Sequence, residues 1–253
     1  MHLFIISLKN TMVYRWSVLF SIIGSVLIIA INLILWRFLY RDTPIMVSYM
    51  IKYTIISNII GMFYTRGVAE RISDKVSSGD FVIDLIRPIN IFTMSWRMEL
   101  VDICSNFLLL GLPVILIYSP FLIESTGYYN IIAVIFTIVL SHLLFLLIYT
   151  LLGFLAFILI EIWPFRFLLD ETIRLLAGGF IPLAILPGLV RSIAYALPFR
   201  FLYSYPLELL FGIVDMSAFF ENIFILVIWI IIFTILNIII YKLAIRKAVI
   251  QGG

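Results

Sequence analysis

Ser141, His142 and Asp102 are the residues from which a hydrolytic triad would have to be assembled. Adjacent residues on a helix point about 100° apart, so Ser141 and His142 cannot face one substrate together. No Gly-x-Ser-x-Gly elbow is present to expose a nucleophile. His142 is therefore expected to hydrogen-bond between helices rather than catalyse. His2 and Cys104 stand alone, without metal-ligand spacing, and a single cysteine excludes an internal disulfide. Lys52 and Asn58 interrupt an apolar run. They would either line a polar path or, the reading preferred for Lys52, snorkel to the nearer interface. The chain has no Gly-x-x-x-x-Gly-Lys-Ser/Thr loop, so it cannot itself cradle ATP phosphates. Phe63, Tyr64, Phe180 and the aromatics near Tyr203 are candidate contacts for an apolar substrate, or simply packing.

The densest chemistry is a charged island. Arg66, Glu70, Arg71, Asp74, Lys75, Asp80, Asp84, Arg87, Arg97, Glu99 and Asp102 fall close together in a chain only 12% charged. An unpaired charge in hydrocarbon costs several kcal/mol, so the island must face water. Val68, Ile72 and Val76 are spaced i, i+4, i+8, one face of a helix. Glu70 with Asp74 and Arg71 with Lys75 then take the wet faces. Ser77-Ser78-Gly79 stops the helix, and Phe81, Ile83 or Leu85, and Ile86 return the chain to the membrane before Arg87-Pro88. The other reading of this segment is a plain solvated loop.

The elements that must position these residues are membrane helices. Of the 253 residues 64% are hydrophobic and the mean hydropathy is +1.20, well above a soluble domain at roughly 45–50% apolar. The runs are continuous rather than alternating, which indicates helices and not barrel strands. The expected fold is all-α and polytopic, a single domain over 1–253. It has an interfacial helix at 1–16 and six spans near 17–40, 45–64, 101–118, 131–160, 167–186 and 219–244. The first run is too long, and lacks a small-residue cleavage site, to be a signal peptide. Glu161, Asp170, Glu171 and Arg174 are expected to form an ion-pair network at the membrane surface. Gly178, Gly179, Pro182, Pro187, Gly188, Pro198, Pro206 and Gly212 break the chain after the fifth span. Two short helices near 189–197 and 201–211 are expected to dip into the membrane within 187–218 without crossing. Such backbone survives at depth only under protein or beside a water-filled cavity.

Lysine and arginine set the orientation. Lys9, Arg15, Arg66, Arg71, Lys75, Arg87, Arg97, Arg166, Arg174, Lys242, Arg246 and Lys247 fall on one side. Only Arg37, Arg41, Arg191 and Arg200 fall on the other, with Lys52 inside a span. Both termini and the island are expected in the cytoplasm. The net charge of +3 reflects these loops, and no soluble basic face exists for nucleic acid. No internal repeat is evident, which argues against inverted-repeat carriers.

The order of elements resembles the permease subunit of ABC exporters of the second type. Ser78-Gly79-Asp80-Phe81-Val82-Ile83-Asp84-Leu85-Ile86-Arg87-Pro88-Ile89-Asn90 is similar to a loop of one branch, small-Gly-x-x-x-x-Asp-Leu-x-Arg-Pro-x-Asn. Leu197-Pro198-Phe199-Arg200-Phe201, with Pro206 and Gly212, is similar to its Leu-Pro-Phe-Arg re-entrant segment, and Gly252-Gly253 also suits it. The resemblance implies that 66–99 is a cytoplasmic coupling region. Its coupling residues would be Glu70, Arg71, Ile72, Asp74, Lys75, Gly79, Phe81, Asp84, Leu85, Arg87 and Pro88, and its re-entrant residues Pro187, Pro198, Phe199, Arg200 and Pro206. It further implies a bacterial inner-membrane exporter of amphiphiles, with no catalysis and no cofactor of its own. ATP and Mg would be bound by two separate ABC ATPase subunits. A second permease copy or a paralogue, and membrane lipid, would be the other partners. A secondary carrier or channel is the alternative, with Lys52 or His142 as its coupling group.

Overall fold

The computed structural model describes residues 15–81, 91–123, 131–159 and 161–251, which are helices, turns and connecting segments. Among the described residues four helices are long and apolar enough to cross a bilayer: Trp16–Leu39, Met94–Leu122, Ile131–Phe157 and Met216–Leu243. The expected 1–16 interfacial helix lies almost wholly outside the described residues, as do Asp84, Leu85, Arg87, Pro88 and Gly252-Gly253.

The first span is α1 (Arg15–Leu39). A tight turn, with the Thr43 N–H on the Tyr40 carbonyl, leads to Pro44, the favoured first residue of a helix. Helix α2 (Pro44–Gly61) runs back against α1. Ile29 and Leu33 pack there with Ile51 and Ile55, and with Val114 and Tyr118 further along the chain. At 18 residues α2 reaches about 27 Å. It is shorter and more polar than the four long spans, because it faces protein rather than lipid: Met50, Tyr53, Thr54, Ser57 and Ile60 are all buried.

Helix α3 (Gly67–Ser78) is the amphipathic element expected from the island. It ends where Gly79 turns into the left-handed region at φ 79°, a conformation glycine adopts without steric cost. The third span is α4 (Ile91–Asn106), a π-helical turn (Phe107–Gly111) and α5 (Leu112–Ile123). It outruns the expected 101–118 at both ends and passes through Pro120. That proline leaves the Leu116 carbonyl without its i+4 donor, and the Ser119 hydroxyl takes its place at 2.9 Å. Helix α6 (Ile131–Phe154) is the hub. It packs on α3 near its end and along much of α10 (Phe219–Gln251). Buried Asn237 of α10 donates to the Leu147 carbonyl at 2.9 Å. The outer faces of α1 and α10 expose Ile31, Ile34, Phe38, Phe220 and Phe224, the surface a bilayer would cover.

The fifth expected span, 167–186, is not one helix. Helix α7 (Trp163–Leu176) has 14 residues, about 21 Å, which is too short to cross. It closes in a Schellman turn: Gly179 N–H bonds the Arg174 carbonyl at 3.1 Å and Gly178, at φ 80°, bonds that of Leu175. The chain then breaks repeatedly through α8 (Gly188–Ala196), a 3-10 turn (Pro198–Phe201) and α9 (Ser204–Leu210), close to the expected dipping helices. The dip is deep. The Phe201 carbonyl accepts a 2.6 Å bond from Ser141, near the middle of α6, and the Leu202 carbonyl one of 2.6 Å from Tyr64. The carbonyls of Gly178 and Gly179 accept from Tyr53 and Ser57, each at 2.6 Å. Each buried carbonyl left unpaired would cost about 1–3 kcal/mol.

A Cβ on Gly178 would lie 2.8 Å from the Tyr53 hydroxyl, whereas one on Gly188 meets nothing within 4 Å. Left-handed backbone alone costs a non-glycine residue about 1–2 kcal/mol. Gly178→Ala is expected to lower the melting temperature of the detergent-purified protein by several degrees, with Gly188→Ala nearly neutral. Equal melting of the two variants would refute the role given to this turn.

Candidate functional site

Two features meet at one end of the molecule: the α3 platform and a cavity behind it. Val68, Ala69 and Ile72 seat α3 on α6. The approach is close because α6 carries Gly153, where a Cβ would sit 2.9 Å from Ile72 Cβ and 3.2 Å from Ala69 backbone. Phe81 is also buried, edge-on to Phe157 at 4.7 Å and Phe154 at 6.4 Å, and pins the chain leaving α3. Glu70, Asp74, Ser77, Ser78, Gly79 and Asp80 are exposed, and Lys75 is half-buried.

Arg71 departs from the expected wet face. It folds back over Gly67 and binds Asp102 at 2.7 Å and fully buried Glu99, both on α4. Thr65 donates to the same Glu99. A carboxylate this buried needs a cation, and Arg71 is the one the fold supplies. On the other flank Arg166 of α7 pairs with Glu70, and Arg66 with Asp170 at 3.2 Å. Tyr149 of α6 donates to Asp170, and Glu171 lies 3.9 Å from Arg174. Of the four residues expected to form one network, Glu171 and Arg174 pair with each other, while Asp170 pairs with Arg66 at the start of α3. Glu161 lines a groove of about 230 Å³ with Glu70, Ser73, Asp74, Trp163 and Arg166.

The cavity, about 450 Å³, lies between α1, α2, α6, α7 and the turn after α7. Ser25 and Asn32 reach it from α1, and Thr54, Ser57 and Asn58 from α2. Arg66, Asp170, Glu171 and Arg174 bring charge to it, and Tyr64, Phe145, Phe167, Phe180 and Tyr203 form its aromatic walls. Of these, sequence reasoning had singled out Asn58, Tyr64, Phe180, the Tyr203 region and the charged group. It missed Ser25, Asn32, Thr54 and Ser57. The spacing of 54, 57 and 58 (i, i+3, i+4) puts those three on one helix face and was the signal available. Phe63 packs on Phe107 instead, with ring centroids 5.2 Å apart.

The family model "ABC-2 family transporter protein" matches residues 26–252. The chain belongs to the ABC-2 transporter family. It is a multi-pass membrane permease of an ABC transporter, and permeases of this family work with ABC ATPase partners. No curated protein and no solved structure matches it.

The permease's other candidate residues fall in separate places. Ser141 is committed to the Phe201 carbonyl and Asp102 to Arg71, so no triad assembles. His142 stacks beside Tyr64 and Phe145 at 6.4 and 6.5 Å, with the Phe63 backbone, just past α2, against its ring. In the segment expected to be re-entrant, Pro198 and Pro206 are buried, Phe199 is half-buried and Pro187 exposed. Arg200 binds Asn222 of α10 and lies over the rings of Phe201, Tyr195 and Tyr205 at 4.8, 5.4 and 5.6 Å. Tyr195 and Ser204 donate to Glu208 at 3.0 and 2.7 Å. Arg200 therefore anchors the segment.

Arg71→Ala is expected to destabilise the permease by about 3–5 kcal/mol, because it strands Glu99. Adding Glu99→Gln should recover part of that loss, while Asp74→Ala alone should stay within about 0.5 kcal/mol. Denaturant unfolding of the three variants checks this. Failure of Glu99→Gln to recover any stability would remove the pairing from the argument.

Proposed function

We propose that this permease is the membrane half of an ATP-driven exporter, with α3 the helix on which a separate ABC ATPase docks. The observation carrying this reading is the double character of α3. One side offers Asp74, Ser77 and Asp80 to water, and the rest is locked to three helices by Gly153 contacts and by the Arg71, Glu70 and Arg66 ion pairs. A force on the wet face is delivered to α4, α6 and α7 at once, and α6 and α7 are walls of the cavity. The lysine and arginine asymmetry supports a cytoplasmic α3 and cytoplasmic termini in a bacterial inner membrane. Six crossings follow if α2 and the α7-to-α9 segment each carry the chain across.

The cavity is then half of the path. It mixes amide and hydroxyl groups with aromatic walls, the lining an amphiphile would need. Beside it α7 exposes Phe167, Leu168 and Leu175, an apolar strip suited to a second permease, identical or paralogous. Two such chains with two ATPases, which would bring ATP and Mg, complete the machine. An ion-coupled carrier would place Lys52 or His142 in the cavity, and neither lines it.

The test is a mild-detergent pull-down of the tagged permease from its host, with the eluate assayed for ATP hydrolysis. A stoichiometric ATPase should co-elute and be lost from the Asp74→Lys, Asp80→Lys variant, which keeps every inward ion pair described above. A permease that elutes alone, or whose ATPase is retained in the variant, overturns the docking assignment.

A further inference from the structure

Two ion pairs stand among the walls of the cavity, and they are built differently. Arg66 and Asp170 form a tight pair. The two groups are 3.2 Å apart, the Asp170 side chain is 13% exposed, and Tyr149 donates to the same carboxylate. That pair ties the start of α3 to α7. Glu171 and Arg174, one turn apart on α7, form a loose pair. At 3.9 Å they are beyond hydrogen-bonding distance, and the two side chains are 52% and 50% exposed.

The loose pair does not sit on an ordinary solvated face. The Arg174 carbonyl accepts from the Gly179 N–H, and the Gly179 carbonyl accepts from Ser57, one turn inside α2. Both charged side chains line the cavity. Charge at such depth is costly and marks a function by default. The charged side chains of the described walls also cancel, with Arg66 and Arg174 set against Asp170 and Glu171.

A lining of this kind selects by charge. A lone anion on Arg174 would be repelled by Glu171 beside it. A lone cation on Glu171 would be repelled by Arg174. A head group that carries both charges a few bonds apart gains at both and is repelled by neither. The surroundings add an apolar requirement. The Arg174 guanidinium lies 5.6 Å from the centroid of Phe180, and Phe167, Tyr64 and Tyr203 continue that wall. Aromatic faces attract an ammonium, a quaternary one above all, and they cover hydrocarbon.

We propose that the cavity binds a zwitterionic amphiphile, with an ammonium and a phosphate on one apolar chain. Glu171 takes the ammonium, Arg174 takes the phosphate, and the aromatic wall takes the start of the chain. That this ligand is the cargo rests on the exporter reading, whereas its binding belongs to the permease alone.

The test uses the full permease in neutral detergent, by native mass spectrometry and thermal melting. The probes are lysophosphatidylcholine, a zwitterion; lysophosphatidylglycerol, an anion; hexadecyltrimethylammonium, a cation; and glycerophosphocholine, the zwitterionic head without a chain. Lysophosphatidylcholine is expected to bind at one molecule per permease, to raise the melting temperature, and to bind at least tenfold more tightly than the other three. Glu171→Gln should turn the preference to the anion, and Arg174→Gln should turn it to the cation. Each replacement removes one side of a half-exposed pair, so the fold should survive both. Asp42→Asn makes the same charge change as Glu171→Gln on the exposed α1–α2 turn, and it should keep the wild-type order. Equal binding of the three chain-bearing probes by the wild-type permease overturns the proposal. So does a wild-type order of preference in both cavity variants. Glycerophosphocholine binding as tightly as the lysolipid would overturn the amphiphile and leave a soluble zwitterion in its place. A permease that brings down no ATPase, yet shows the expected order and both reversals, keeps the site and loses only the exporter reading.

Discussion

The structure depends on satisfying backbone that is not helical yet lies among membrane helices. From Ala177 to Ser204 the chain bends through glycine, proline and 3-10 turns, and every peptide there that loses its helical partner needs another. Four hydroxyls meet much of this demand: Tyr53 and Ser57 of α2, Tyr64 just beyond it, and Ser141 of α6. Their positions explain why α2 is the polar helix of the set. A fully apolar α2 would insert more readily and would leave the Gly178 and Gly179 carbonyls bare. The polarity that makes α2 a poor lipid-facing span is what makes it a good neighbour for broken backbone.

That arrangement also creates the cavity. The break after α7 stops that helix short of a full crossing, and the space beside it is bounded by Thr54, Ser57 and Asn58 on α2 and by Asn32 on α1. Ser57 serves both purposes, since it bonds the Gly179 carbonyl and lines the cavity. At the other end the acidic side chains Asp170 and Glu70 tie α7 to the segment that begins α3. These ion pairs join α3 and the residue before it directly to α7, a wall of the cavity.

The sequence made the helical class, the α3 amphipathicity and the two short helices between 187 and 218 legible, because each rests on periodicity or on proline and glycine. It misplaced what tertiary contacts decide. The fifth span looked continuous since 167–186 is apolar, but the left-handed Gly178 and the donors waiting on α2 end it at Leu176. The third span looked shorter because Pro120 reads as a stop, and only the neighbouring Ser119 hydroxyl shows why it is not. Arg71 looked solvated because helix spacing alone cannot see Glu99 and Asp102, 28 and 31 residues away. Polar residues scattered through α1 and α2 were individually unremarkable, and only the packing of the two helices makes them one surface.

Charge is placed in this chain by a consistent rule, which shows most clearly where it is stretched. At the α3 end, each buried charge has an opposite partner: Glu99 with Arg71, and Asp170 with Arg66. In the re-entrant segment Arg200 has no carboxylate within ion-pair reach among the described residues, and aromatic faces with the Asn222 amide take that role.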